Sequence, residues 1–209
     1  MNRFEILTHI GHSEKVLFMR VFLSVLILIF SLQSWTKADD ISDFEIEGMS
    51  IGDSALDYFS ESEIQKNLYS KSKKFAWTYH NLNNSEVYEG FRFHYKTKDK
   101  KFIIHGMSGM IFYPNNIDAC YTKEKEIIKE LESEFPSGRK DAQGKLKHKS
   151  DTTGKSIYTY TAFYFDNGTI SLECTDWTDK ITSKNGWTDS LGVRIETKEF
   201  MHWIRNEAR

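Results

Sequence analysis

Proline is almost missing from this chain: Pro114 and Pro136 are the only two in 209 residues, which argues against a disordered or linker-rich polypeptide. Cysteine is equally scarce. Cys120 and Cys174 stand alone, with no CxxC and no Cys/His spacing, so a redox or metal site has little to build on. Positive charge is not in excess either. The 28 Lys/Arg face 30 Asp/Glu, which gives no basic field for nucleic acid. No apolar run reaches the roughly 20 residues of a bilayer span. No nucleophile elbow is present, the Ser and Thr residues near residues 157–174 lack a neighbouring activating histidine, and Gly48-Met49-Ser50-Ile51-Gly52-Asp53-Ser54 has no lysine and does not match a phosphate loop. Nucleophilic hydrolysis therefore has no positive support.

What is present begins with Val21–Leu32 (VFLSVLILIFSL), preceded by Met19-Arg20 and followed by Thr36-Lys37-Ala38. A positive start, a short apolar core of about 7–15 residues and a small-x-small exit describe a secretory signal. The spacing predicts a cut after Ala38, with residues 1–38 removed and 39–209 forming one domain. Glu5 and Glu14 lie before the apolar core, an odd placement that points to Met19 as the start of translation. An uncleaved anchor extended back through Val16-Leu17-Phe18 would have to bury Arg20. No cysteine lies between residues 20 and 40, so a lipoprotein attachment point is absent. Without residues 1–38 the chain keeps 24 basic and 28 acidic residues, a net of −4. A periplasmic or secreted location follows as the expectation, with no stable membrane span after cleavage. In an oxidising compartment two cysteines facing one core are expected to pair, so a Cys120–Cys174 disulfide is predicted.

The mature part, with fifteen Phe, ten Tyr and five Trp in the whole chain, has enough large apolar groups for one core. Ser54 ahead of Ala55–Phe59 and the capping box Ser60 to Glu63 predict two short N-terminal helices, with Leu56, Phe59, Ile64 and Leu68 in the core. From Lys74 the period becomes two. Phe75, Trp77 and Tyr79 alternate in one strand, and Val87–Tyr95 and Lys101–Tyr113 read as a hairpin about Asp99-Lys100, with Phe91, Phe93, Tyr95, Phe102 and Ile104 on one face and Arg92, His94 and Lys96 on the other. Ala119–Phe135 is the strongest helix pattern, and Arg139–Lys155 reads as a polar loop with at most a weak strand at Leu146. Ile157–Phe165 and Thr169–Cys174 flank Asp166-Asn167-Gly168 as the clearest hairpin. A strand through Leu191, Val193 and Ile195 and a C-terminal helix with Phe200, Trp203 and Ile204 follow. The fold class expected is α+β: antiparallel hairpins packed with a central long helix, two short N-terminal helices and a C-terminal helix. Helix then meander occurs twice in outline, without a repeat at the level of residues.

Two constellations could carry chemistry. In the register about Asp99-Lys100, His94 and His105 face each other across a hairpin, which would suit a metal or a pH switch; no third ligand is evident, no metal site is assigned, and a one-residue slip would separate them. Asp176, Asp179 and Asp189 surround Trp177 and Trp187, an arrangement seen at sugar sites and equally compatible with solvated loop acids; a glycosidase would need two carboxyls at a set separation. No cofactor is implied.

The segment DISDFEIEGMSIGDSALDYFSESEI, with Gly109, Cys120, Cys174-Thr175-Asp176-Trp177 and Leu191-Gly192-Val193, resembles a group of short exported proteins of uncharacterised function common in small-genome marine alphaproteobacteria. The resemblance covers most of the mature chain and implies export, a similar fold and paired cysteines, without an activity. Gly-Met-Ser-Ile-Gly is also similar to an element of small outer-membrane assembly lipoproteins, whose lipidation cysteine this chain lacks. The expected function is a non-catalytic binding or interaction module for an envelope protein or a small ligand. The competing expectation is a carboxylate-dependent envelope hydrolase acting on glycans around Trp177 and Trp187.

Overall fold

Eight antiparallel strands form one sheet, in the order β1-β2-β3-β4-β8-β7-β6-β5. The structure is a computed structural model that describes residues 40–82, 85 and 87–208; the Val21–Leu32 run and the Ala38 boundary lie outside the described residues. The first four strands are β1 (Leu68–Lys71), β2 (Phe75–Asn81), β3 (Gly90–Lys96) and β4 (Gly106–Phe112). The second four are β5 (Arg139–Lys147), β6 (Ile157–Tyr164), β7 (Gly168–Asp176) and β8 (Ser190–Thr197). Each set is a meander, and the two join through their last strands, with Met107, Gly109 and Ile111 opposite Ile195, Val193 and Leu191. A mixed α+β architecture results, with the sheet dominant over four α-helices among the described residues: α1 (Glu61–Lys66), α2 (Ile117–Glu134), α3 (Asp179–Asn185) and α4 (Lys198–Asn206).

Alternation along the central strands sorts side chains between two faces. Phe91 and Phe93 on β3, Ile170 and Leu172 on β7, and Val193 and Ile195 on β8 are fully buried on one face. Helix α2 packs on that face against β7 and β8. Its amphipathic stripe delivers Cys120 and Leu131 to the core, and Asn116 caps its start by accepting from the Ala119 N–H. Cys120 is bonded to Cys174 on β7, their Cα atoms 6.1 Å apart. Beside the bridge, Thr159 donates to both oxygens of the buried Glu124 at 2.9 Å and accepts from the Cys174 N–H at 3.3 Å. The 3-10 turn Ile41–Asp43 and the loop through Ile46 and Met49 complete this side.

The predicted capping box is formed: Ser60 and Glu63 exchange side-chain and backbone hydrogen bonds at the start of α1. Several details differ from the sequence reading: Leu68 belongs to strand β1 and not to the preceding helix, and α3 has no counterpart in that reading. Ala55–Asp57, capped by Ser54, is a single 3-10 turn and not an α-helix, and Leu56 is 40% exposed. Arg139–Lys147 is an edge strand, since its backbone pairs with β6; its polar, Lys-rich sequence suits an edge that must not recruit another chain. The β3–β4 register is shifted by one residue. His94 lies opposite Gly106, because Lys101–His105 is drawn to the N-terminal loop, where Ala55 N–H donates to Phe102 O at 3.1 Å and Ile104 N–H to Asp53 O at 2.9 Å. Phe102, at φ 51°, makes the turn that permits this.

Candidate functional site

The face opposite α2 gathers the polar halves of the same strands. Arg92 alternates with Phe91 and Phe93, Glu173 with Leu172 and Cys174, and Arg194 with Val193 and Ile195. Registers place Arg92 opposite Ser108, Ser108 opposite Arg194, and Glu173 opposite Gly192. One transverse row therefore carries two arginines at the centre of the sheet, and Glu173 reaches Arg194 from the next position along β7 on the same face. Helix α4 covers one end of this face. Its Phe200 ring lies 4.4 Å from His94 and 5.1 Å from Phe75.

The other end is walled by aromatic rings from two loops. Trp177 follows β7 and Trp187 follows α3; their ring centroids are 4.6 Å apart, and His148 lies 4.2 Å from Trp177. Local chemistry fixes both loops. Gly186 ends α3 at φ 70°, a left-handed position that returns the chain so that Trp187 meets Trp177. Asp189 accepts from the Trp177 N–H at 2.7 Å. Asp151 accepts from the N–H and hydroxyl groups of Thr153 and Ser156 at 2.7–2.9 Å, and these hydrogen bonds hold its carboxyl well below the usual carboxylate range. Ser156 in turn accepts from the Thr178 N–H at 3.1 Å, tying the loop that carries His148 to the loop that carries Trp177.

Between the charged row and the tryptophan wall lies a cleft of about 710 Å³, with Tyr79, Met110, Phe112 and Gly192 among its lining residues. That size falls in the range of small-molecule sites, as does the combination of apolar walls with a few convergent polar groups. Gly192 has no side chain to fill the floor; a Cβ there would come no closer than 3.7 Å to another group, the Arg194 guanidinium.

The charges of the cleft are unevenly matched. Arg194 donates from Nη1 to Glu173 Oε2 at 2.9 Å, and Thr175 donates to Oε1 at 3.0 Å. Burial acts to raise the Glu173 carboxyl, but the Arg194 charge and these hydrogen bonds hold it below its ordinary value. Burial opposes the charge on Arg194 as well, and Glu173 offsets it, so the guanidinium stays above its usual range. Arg92 has no such partner. Its Nε donates to Ser108 Oγ at 3.2 Å and its guanidinium lies 5.1 Å from the Trp77 ring centroid, while no carboxylate forms an ion pair with it among the described residues. Burial, then the Arg194 charge, lowers its pKa. Glu196 lies in a smaller cavity of about 150 Å³ with both arginines and His94; burial pushes its carboxyl up.

The sequence-predicted residues are distributed differently from the reading above. His94 and His105 share a backbone hydrogen bond, His105 N–H to His94 O at 2.9 Å, but have separate side-chain partners. His94 packs on Phe200 and Trp77, and burial with the nearby Arg92 charge lowers its pKa to about 3. His105 meets the edge of Phe75 and lies 3.9 Å from Glu199. No group of three metal-ligating side chains exists among the described residues. Trp177 and Trp187 do come together at the cleft, whereas Asp176, Asp179 and Asp189 are not in its lining, where Glu173 is the one carboxylate. Asp179 belongs to the first turn of α3, and Asp176 follows Thr175 onto the α2 side, where burial and then Asp189 raise its pKa. Arg92 was placed on the correct face by alternation; Glu173, Arg194 and His148 were missed. The available signal was a charged residue at the polar position of an otherwise apolar strand.

No helix among the described residues is long and apolar enough to cross a membrane. Comparisons of the chain with protein-family models, with curated proteins and with solved structures each found no match.

Proposed function

We propose that this protein is an exported, non-catalytic binding module whose ligand is a small molecule held in the cleft between the Arg92–Arg194 row and the Trp177–Trp187 wall. The observation that carries the reading is the cleft itself: a volume suited to a small molecule, with a polar floor on rigid central strands and aromatic walls on hydrogen-bonded loops. Its single carboxylate is already engaged by Arg194 and Thr175, an arrangement for holding a ligand and not for proton transfer to one. Export is supported by the Val21–Leu32 run and by the disulfide.

The test is retention of small molecules from an envelope extract by the protein recovered after expression of the full chain, with mass spectrometry as the readout and Gly192→Leu as the control. A leucine there fills the cleft while leaving the strand backbone in an ordinary conformation. The expected result is a compound retained by the natural protein and lost with Gly192→Leu. Equal retention by both would refute the cleft as the site, and N-terminal sequencing that finds residue 1 retained on the mature protein would refute export.

A further inference from the structure

We infer that the ligand of the cleft carries a single carboxylate on an apolar body, the carboxylate seated on Arg92 and the body lying along Trp177, Trp187, Met110 and Phe112. The inference rests on the cleft being a binding site and adds the chemical class of what enters it. Its starting point is the inequality between two arginines of one row. Arg194 is satisfied by Glu173. Arg92 spends Nε on Ser108, and its terminal nitrogens have no protein acceptor among the described residues, although they sit in a half-buried position lining the cleft.

A guanidinium offers five N–H donors in a planar fork that matches a carboxylate with two parallel hydrogen bonds. The terminal nitrogens open on the cleft and hold no protein acceptor among the described residues, so a carboxylate arriving with the ligand can take two of these donors in place of water. The aromatic contact with Trp77 holds the plane of the fork in place.

The number of charges selects the acceptor. Of the two guanidiniums lining the cleft only Arg92 forms no ion pair; Glu173, also in the cleft, is held ionised by Arg194, and Glu196 lies beside both arginines in the neighbouring cavity. A monoanion meets one unpaired cation. A dianionic phosphate would bring a second negative charge into the same cleft as Glu173 with no cation left to match it. His148 at the rim does not supply that cation near neutral pH, because burial lowers its pKa. The rest of the lining demands an apolar body, since the Trp177 and Trp187 rings, Met110 and Phe112 offer area and few acceptors or donors.

The test is calorimetric titration with three probes that share one body: 4-phenylbutanoate, 4-phenylbutanamide and 4-phenylbutyl phosphate. The expected result is that the carboxylate binds at least about tenfold more tightly than either of the others. Arg92→Gln is expected to abolish that preference, and Gly192→Leu to abolish binding of all three. Equal affinity for carboxylate and amide, both lost with Gly192→Leu, overturns the carboxylate inference and leaves the binding site standing. Tightest binding of the phosphate overturns it in the same way. Absence of binding by every probe, or binding that survives Gly192→Leu, overturns both. The ratio among probes on the natural protein decides the matter even if Arg92→Gln does not fold.

Discussion

Arg92 and Arg194 stand on either side of Ser108 in one row of the sheet, and only Arg194 is paired with a carboxylate. The difference follows from the neighbouring strands. β7 brings Glu173 next to Arg194, whereas β2, on the far side of Arg92, brings Tyr79 opposite it. A matched ion pair and a bare guanidinium thus sit side by side, one structural and one available.

The matched pair should behave as a unit. The Glu173 and Arg194 side chains are 16% and 27% exposed, so removing one strands the other in a poorly solvated place. Arg194→Met is expected to cost about 2 kcal/mol in urea unfolding, and Arg194→Met with Glu173→Met to recover most of it. A double variant that loses the sum of both single losses would show that the two residues are independent.

Reduction of the Cys120–Cys174 bridge should lower stability sharply. The bridge ties α2 to β7 across a sequence separation of 54, and loop-closure entropy gives an upper figure of about 4 kcal/mol. Urea unfolding with and without reductant measures it. Unchanged midpoints, or two reactive thiols in the unreduced denatured protein, would contradict the pairing.

Acid should destabilise the fold through His94. Its pKa falls from 6.5 in a model imidazole to about 3 here, so the unfolded chain takes up the proton first. The stability is fully present above about pH 6.5 and is lost as pH falls toward 3. Between pH 7 and pH 5 this group alone accounts for about 2 kcal/mol. His80, His105 and His148 are shifted in the same direction by burial. Replacing His94 with Gln is expected to flatten the pH dependence by that amount, whatever it does to the absolute stability; an unchanged slope would contradict the burial of His94.

Two glycines should differ in their tolerance of a methyl group. A Cβ at Gly168 would overlap the Glu196 carbonyl oxygen and Ile41, a backbone atom and a buried core side chain. At Gly109 the obstacle is the Tyr88 ring, a side chain on a loop. Gly168→Ala is expected to cost about 3 kcal/mol and Gly109→Ala about 1 kcal/mol. Thermal unfolding of the two variants checks the order, and the reverse order would contradict the packing at the β7–β8 junction.

Much of this fold is visible in local sequence. The Ser60–Glu63 box, the helix at Ile117–Glu134, the hairpin about Asp166-Asn167 and the alternation on β8 are short-range signals, and each is formed. Edge strand β5 carries no apolar alternation, because neither of its faces is deeply buried; backbone pairing with β6 alone makes it a strand. The β3–β4 register slipped because Lys101–His105 answers to the N-terminal loop, a long-range contact that no hairpin rule contains. The site was legible only in halves. Trp177 and Trp187 stand out as residues, and alternation puts Arg92 on the polar face, but Glu173 and Arg194 meet Arg92 only through the β4–β8 pairing. That pairing connects residues 78 to 90 positions apart in the chain and is fixed by the burial of Met107, Val193 and Ile195 in a shared core.

The most direct measurement is chemical-shift mapping of the isotope-labelled protein during titration with 4-phenylbutanoate. The expected result is movement of the Trp177 and Trp187 indole N–H and Arg92 Nε–H signals, with signals from α2 unmoved and the response lost in Gly192→Leu. Shifts centred on α2 or on the β1 edge, with those three signals unchanged, would contradict the assignment of the cleft as the binding site.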